Sequence, residues 1–139
     1  MSKRETELFL FDIVISILKI KYIIAKFQSA DALKHDFIHW DSVIREYEII
    51  GEATNNLIKH NILDTQQRAI VDFRNVLIHE YFGISEEEVW DISTNFLDEY
   101  QNLIIQKIDS KSTLIDKLIE ENQHLIFIVN FLKELKRDV

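Results

Sequence analysis

The chain has 139 residues, of which 47% are apolar, 16 are Lys or Arg and 24 are Asp or Glu. This length is typical of one domain, which buries roughly two-thirds of its unfolded surface without covalent staples. The absence of cysteine excludes disulfides and thiolate metal sites. The formal charge of -8 argues against a generic binder of nucleic-acid phosphates. With no proline and two glycines, a sandwich or barrel rich in tight turns is disfavoured, so we expect long helices.

The first segment is predicted to be a helix that ends near Phe27. Ser2 and Glu5 have the spacing of a capping box, and apolar residues follow at helical intervals. The apolar arc is wide, so it contacts either a second subunit or two neighbours within the chain. Asp12 and Lys19 interrupt the apolar run, which excludes a signal peptide and a spanning helix. We therefore expect a cytoplasmic protein that does not associate with membranes.

A second helical region is predicted from about Asp31 to His60, with a break near His35. Gly51 lies in its interior, where glycine costs about 1 kcal/mol relative to alanine. A close approach of another backbone or side chain would explain a glycine at this position.

The remaining helices follow from capping signals. Asp64 can cap a third helix with its body from Gln66 to about Tyr81, and the pair Ser85 and Glu88 forms a second capping box. A fourth helix then runs past residue 103, and a further C-terminal helix is predicted at about 113–137. The chain should be all-α, an antiparallel bundle of about five helices in a single domain over 1–139.

The segment that can carry chemistry lies on the third helix and reads DFRNVLIHEY over residues 72–81. On an ideal helix Arg74 and His79 point about 140° apart, too far to hold one small group together. Either the helix distorts here, or a substrate is shared between two symmetry-related copies. A plainer interpretation is a surface ion pair and a helix-end cap, with Asp72 and Glu80 as partners.

An arginine and a histidine suffice for one reaction without a metal. Arginine supplies a permanent planar charge for a phosphate, and histidine exchanges a proton near neutral pH. Together they can support RNA cleavage in which the 2′-hydroxyl attacks its own phosphodiester and leaves a 2′,3′-cyclic phosphate. DNA lacks this hydroxyl and would not be cut.

Two blocks of sequence resemble one known family. Residues 74–81 match the pattern R-x4-H-x-Y, and residues 41–45 (DSVIR) lead into IIGEA at 49–53. In this order and spacing the blocks resemble the HepT-like toxins of the HEPN superfamily. The resemblance covers about residues 8–108.

The resemblance implies a homodimeric helical bundle in which two Arg/His pairs form a composite cleft. It implies a metal-independent endoribonuclease that is the toxin of a type VII-like toxin-antitoxin system, with RNA, either tRNA or mRNA, as substrate. Its antitoxin would be a minimal nucleotidyltransferase that can transfer AMP to the motif tyrosine. By position, Arg74 would stabilise phosphate charge, His79 would transfer protons, Asn75 would orient them, and Tyr81 would be the modified hydroxyl. Asp72 and Glu52 are supporting residues, Asp72 because it could pair with His79 or Arg74 and Glu52 because it could line the cleft.

Other constellations are weaker, and we expect neither a metal nor a cofactor. His35 and His39 have metal-ligand spacing but lack a convincing third ligand, and Glu121 with His124 is one half of a di-iron motif whose second copy is missing. The alternative function is a non-catalytic HEPN bundle that serves as the substrate-binding or partner subunit of a nucleotidyltransferase.

Overall fold

A computed structural model describes residues 1–80 and 83–137. The described part of the chain is all-α, as predicted. Its helices are α1 (Lys3–Ile24), α2 (Ala30–Lys34), α3 (Phe37–Lys59), α4 (Arg68–His79), α5 (Glu86–Asp91), α6 (Leu97–Ile105), α7 (Leu114–Glu121) and α8 (Ile126–Arg137). No helix within these ranges is both long enough and apolar enough to cross a membrane.

Helices α1 and α3 form the centre of the bundle, and α4 and α6 pack against them. Ser2 caps α1 as predicted, because its side chain accepts a hydrogen bond from the backbone N–H of Glu5. The main core is lined by apolar residues of α1, α3, α4 and α6, including Ile13, Ile17, Tyr47, Ile50, Leu57, Leu77 and Ile104. Burial of this surface is the main favourable contribution to folding.

The predicted break in the second helical region is confirmed. Helix α2 ends at Lys34, and the side chain of Asp36 accepts a hydrogen bond from the N–H of His39 to begin α3. Because of this break, α3 can pack along α1 without continuing the direction of α2. Helix α3 then continues through Gly51 without interruption to Lys59.

Helix α4, which carries Arg74 and His79, follows a 3-10 turn at Thr65–Gln67. Asp64 caps this turn rather than α4 itself, with its side chain accepting from the N–H of Gln66. Helix α4 ends at His79, and the predicted end at Tyr81 lies outside the described residues. Ser85 caps α5 by accepting a hydrogen bond from the N–H of Glu88, which confirms the predicted N-cap.

The predicted fourth helix is divided by a π-helical segment, Ile92–Phe96, that links α5 to α6. Ser93 is buried here, and its hydroxyl donates to the carbonyl of Val89 over 2.7 Å while lying 2.5 Å from the hydroxyl of Tyr47. A side chain that bonds back to the preceding turn competes with the regular helical ladder. The helical periodicity of the sequence cannot predict a tertiary contact of this kind, and so it does not predict the π-helical segment.

The C-terminal region forms two helices, whereas the sequence predicted one at about 113–137. Helix α7 ends at Glu121 and α8 begins at Ile126. The backbone N–H and the side-chain amide of Asn122 both donate to the carbonyl of Leu118 at the end of α7, and the N–H of Leu125 donates to the carbonyl of Asn122 in the turn that follows. The reversal folds the two helices into a hairpin.

This α7–α8 hairpin covers one face of α1. A second apolar cluster contains Phe11 of α1 with Leu114, Ile115, Ile128, Leu132 and Leu135. At the other end of the contact, the rings of Tyr22 and Phe127 stack with centroids 4.3 Å apart. Neighbours within the chain thus cover most of the wide apolar arc of α1, whereas Leu8 remains 40% exposed.

Candidate functional site

The position of Arg74 depends on Gly51. Helices α3 and α4 pack closely here, and a Cβ atom built on Gly51 would lie 2.3 Å from Cβ and 2.4 Å from Cγ of Arg74. No other residue type leaves room for the stem of this arginine to cross the α3 backbone. The glycine in the helix interior is therefore explained by a side chain on the neighbouring helix.

The guanidinium of Arg74 is held by two polar side chains. Nη2 donates to Oε2 of Glu52 over 2.9 Å, and Nη1 donates to Oδ1 of Asn75 over 3.1 Å. Nε is buried and finds no hydrogen-bond partner among the described residues. The side chain of Arg74 is only 25% exposed, whereas that of Glu52 is 58% exposed. Arg74 is thus ordered by its neighbours and still reaches the surface.

His79 does not join this group. It is the last residue of α4, it is exposed, and its side chain makes no hydrogen bond to another described residue. Helix α4 is regular through both positions, so the separation of about 140° between Arg74 and His79 persists. A distorted helix, the first of the two explanations, is excluded. One chain does not bring Arg74 and His79 together.

Of the other predicted site residues that the structure describes, two contact Arg74 and one does not. Asn75 and Glu52 both contact Arg74. Asp72 is exposed and makes no hydrogen bond or ion pair with Arg74 or His79, so the carboxylate that pairs with Arg74 comes from α3 instead. The expectation for Tyr81 falls outside the described residues.

A groove beside Arg74 contains residues that the sequence did not single out. It has a volume of about 380 Å³ and is lined by Phe9, Asp12, Arg45, Glu48, Ile49, Glu52, Ala53 and Arg74. A signal for it was present, because Arg45, Glu48 and Glu52 recur on α3 at a spacing that places them on one helix face. Only the packing of α1 and α4 against that face creates the concave surface.

Asp12 of α1 is one of the residues that line this groove. Its side chain reaches solvent, yet desolvation by the surrounding protein raises the pKa of its carboxyl group. Within the described ranges, the side chains of Asp12, Arg45 and Glu48 make no hydrogen bond or ion pair. These three groups can therefore bind a ligand without first losing a partner.

The weaker metal hypotheses gain no support. His35 Nδ1 lies 3.3 Å from a carboxylate oxygen of Asp31, and His39 Nδ1 lies 2.9 Å from Asp36 in the cap of α3. Across residues 1–80 and 83–137, no three His, Asp or Glu side chains are arranged to hold a metal ion. These histidines have local structural partners.

A family profile described as "Ribonuclease HepT-like" matches residues 14–107. The chain belongs to the HepT-like ribonuclease family. The match includes α4 with Arg74 and His79, and it stops before the α7–α8 hairpin. No solved structure matches this HepT-like chain.

Curated relatives of the HepT-like chain include two proteins of Methanocaldococcus jannaschii. "Putative RNase MJ1380" is 35% identical over 95 residues, which are 66% of this chain and 86% of the relative. "Putative RNase MJ0127" is 36% identical over 98 residues, 68% of this chain and 80% of the relative. The chain therefore spans most of the length of both relatives.

Proposed function

We propose that this HepT-like protein is a metal-independent endoribonuclease. The observation that carries the proposal is the fixed guanidinium of Arg74, which Glu52 and Asn75 orient while one edge remains at the surface. A preorganised donor group aimed at developing charge is the largest single contribution to many enzymatic rate enhancements. Membership of a ribonuclease family supports the same assignment.

The reaction uses a nucleophile that the RNA supplies. His79 of one chain removes the proton of the 2′-hydroxyl, and the oxygen attacks the adjacent phosphorus. The bond from phosphorus to the 5′-oxygen breaks, and that oxygen receives the proton back from the same imidazole. Arg74 stabilises the negative charge that grows on the phosphoryl oxygens. The products are a 2′,3′-cyclic phosphate and a 5′-hydroxyl.

The active form is a homodimer, because one chain holds Arg74 and His79 apart. On an ideal helix Asn75 and Ile78 lie between Arg74 and His79, and Val76 lies just beyond His79. Val76 and Ile78 are the two large apolar side chains of α4 that are exposed, with exposed fractions of 41% and 42%. A second copy packed on this face would cover both apolar side chains. It would also bring the His79 of one chain towards the Arg74 of the other in a composite cleft.

The biological role that fits is the toxin of a type VII-like toxin-antitoxin system. Its antitoxin is a minimal nucleotidyltransferase, and AMP attached to Tyr81 would add bulk and negative charge two residues after His79. Such a group would exclude RNA by sterics and by charge repulsion. Mass spectrometry of the protein co-expressed with the transferase should show added AMP on a peptide containing Tyr81, and Tyr81→Phe should escape inhibition.

The direct test is cleavage of single-stranded RNA by purified protein in EDTA. We expect fragments that end in 2′,3′-cyclic phosphate, and we expect Arg74→Ala and His79→Ala each to reduce the rate by at least about 100-fold. Lys117→Ala, an exposed basic residue on α7, is the matched control and should leave the rate unchanged. Cleavage that persists in both site variants would exclude the mechanism.

The alternative is a non-catalytic HEPN bundle that acts as the substrate-binding or partner subunit of a nucleotidyltransferase. The favouring observation is the net charge of -8, which limits affinity for RNA. In that case RNA would stay intact in the assay above, while a stoichiometric complex with the transferase would form.

A further inference from the structure

The groove beside Arg74 differs from a phosphate site in its charge. Its lining includes three carboxylates, from Asp12, Glu48 and Glu52, and two guanidinium groups, from Arg45 and Arg74. Because Glu52 and Arg74 already pair with each other, the groups left for a ligand are two carboxylates and one guanidinium. A second phosphate would meet a net negative surface, so the groove does not simply extend the phosphate contact of Arg74.

The floor of the groove is apolar. Phe9 and Ile49 are half-buried, Ala53 is buried, and all three line the concave surface. The volume of about 380 Å³ lies in the range of sites that enclose small organic ligands. A flat aromatic body with a polar edge that donates hydrogen bonds therefore fits both the floor and the acidic wall.

We propose that this groove is a base-recognition subsite that binds a guanine next to the cleaved linkage of the RNA. The inference rests on the proposed ribonuclease function, because Arg74 is then the residue that holds the scissile phosphate at the edge of the groove. The base packs on Phe9 and Ile49, and a carboxylate of Glu48 or Asp12 accepts hydrogen bonds from its edge.

Guanine is selected because of its donor pattern. A carboxylate offers two acceptor oxygens side by side, and guanine is the base whose Watson–Crick edge presents two adjacent N–H donors. Adenine and cytosine present one amino group beside a ring nitrogen that repels the carboxylate. Uracil presents one N–H between two carbonyl oxygens. Single-stranded RNA exposes these edges for direct contact.

The first experiment maps the cuts. A pool of single-stranded RNAs with random internal sequence is digested in EDTA and the new ends are sequenced. The wild type should cut next to guanine roughly tenfold more often than next to uracil, the discrimination of one good bidentate contact. Glu48→Gln and Asp12→Asn should reduce this preference, whereas Glu120→Gln, an exposed carboxylate on α7, should keep it.

The second experiment separates this proposal from the proposed function. His79→Ala, with histidine absent from the cleft, is titrated by fluorescence anisotropy with uncleavable 2′-O-methyl oligonucleotides rich in guanosine or uridine. The groove proposal predicts that the His79→Ala protein binds the guanosine-rich strand more tightly than the uridine-rich strand. Adding Glu48→Gln to His79→Ala should abolish this difference. This result would support the groove even if no RNA is ever cut. Cleavage of RNA without any base preference, or equal binding of the two strands, overturns the subsite and leaves the ribonuclease proposal standing.

Discussion

Gly51 of α3 and Arg74 of α4 are a single structural unit, because the arginine stem occupies the space where a glycine Cβ would be. Helix α3 thus carries a weak helix former at the one point where the candidate catalytic arginine crosses it. The pairing links the stability of the α3–α4 contact to the position of the guanidinium.

Gly51→Ala should therefore destabilise the protein and impair cleavage. The higher helix propensity of alanine favours the variant by about 1 kcal/mol. Steric overlap with Cβ and Cγ of Arg74 opposes it, and forced repacking of this kind costs about 1–3 kcal/mol. Both atoms are close to the backbone of α4, so the helix itself has to move. Urea unfolding should show a net loss of stability, and RNA cleavage should slow.

Gly83→Ala is the matched control for this substitution. Among the described residues, a Cβ atom there would meet Cβ of Glu80 at 3.9 Å, an ordinary contact. We expect the midpoint of unfolding to stay within error of the wild type. A stabilised Gly51→Ala variant with full activity would show that α4 does not depend on the glycine.

Glu52 should act as a positioning residue for Arg74. The ion pair is partly exposed, and pairs of this kind contribute about 0–1 kcal/mol to stability. Glu52→Ala should therefore change the melting temperature little while lowering kcat roughly 10- to 100-fold, the effect of a small misplacement of a reacting group. Glu52→Gln keeps an acceptor oxygen and should retain more activity than Glu52→Ala.

The exposed pair between Lys136 and Asp116, with atoms 2.7 Å apart, provides the comparison for Glu52. Asp116→Ala removes a similar ion pair far along the chain and should leave kcat unchanged. Equal rates for Glu52→Ala and Asp116→Ala would show that the carboxylate beside Arg74 has no role in positioning.

Local signals predicted some parts of the fold and could not predict others. The caps at Ser2 and Ser85 were found because each needs only a hydroxyl and an N–H three residues apart. The reversal after Glu121 was missed because it depends on packing against α1. Glu52 was identified only through the family-like block, since residues 22 positions apart leave no periodic signature of an ion pair.

The composite cleft can be tested by mixing two inactive chains. Arg74→Ala and His79→Ala are co-expressed with different tags, and the mixed dimer is purified through both tags. If each reaction uses Arg74 of one chain and His79 of the other, the mixed dimer retains one complete pair and regains cleavage. Each homodimer should remain inactive. A mixed dimer as inactive as its parents would show that catalytic pairs, if any, form within one chain.

Buried tyrosines should make stability fall at alkaline pH. Burial raises the pKa of Tyr100 to about 12 against the opposing effect of its hydrogen bond to Thr54, and burial also raises the pKa of Tyr47. In the unfolded chain tyrosine ionises near pH 10. The folded state therefore keeps these tyrosine protons to a higher pH than the unfolded chain does. Their contribution to stability is complete below pH 10 and is lost as the pH rises towards about 12. The free energy of unfolding should decline by up to about 1.4 kcal/mol per pH unit for each tyrosine.

Tyr100→Phe should make this alkaline decline less steep, because only Tyr47 then contributes to the difference in bound protons between the folded and unfolded states. It will also lower stability at neutral pH by leaving the Thr54 hydroxyl without its partner, so the slope against pH is the quantity to compare. Thr54→Val disrupts the same hydrogen bond but keeps the phenol, and its slope should stay steep. Identical slopes for Tyr100→Phe and the wild type would contradict the assignment.

The α7–α8 hairpin should unfold together with the rest of the chain, although it lies outside the residues that match the family. Leu132 is fully buried in the cluster that joins the hairpin to Phe11 of α1. Leu132→Ala should cost about 2–5 kcal/mol, the range for a buried leucine that leaves a cavity. Ile126→Ala, at a side chain that is 72% exposed, should cost less than about 0.5 kcal/mol. Circular dichroism and intrinsic fluorescence should report one coincident transition in both variants, because loss of α8 would expose the face of α1 around Phe11. Two separate transitions would show that the hairpin is an independent unit.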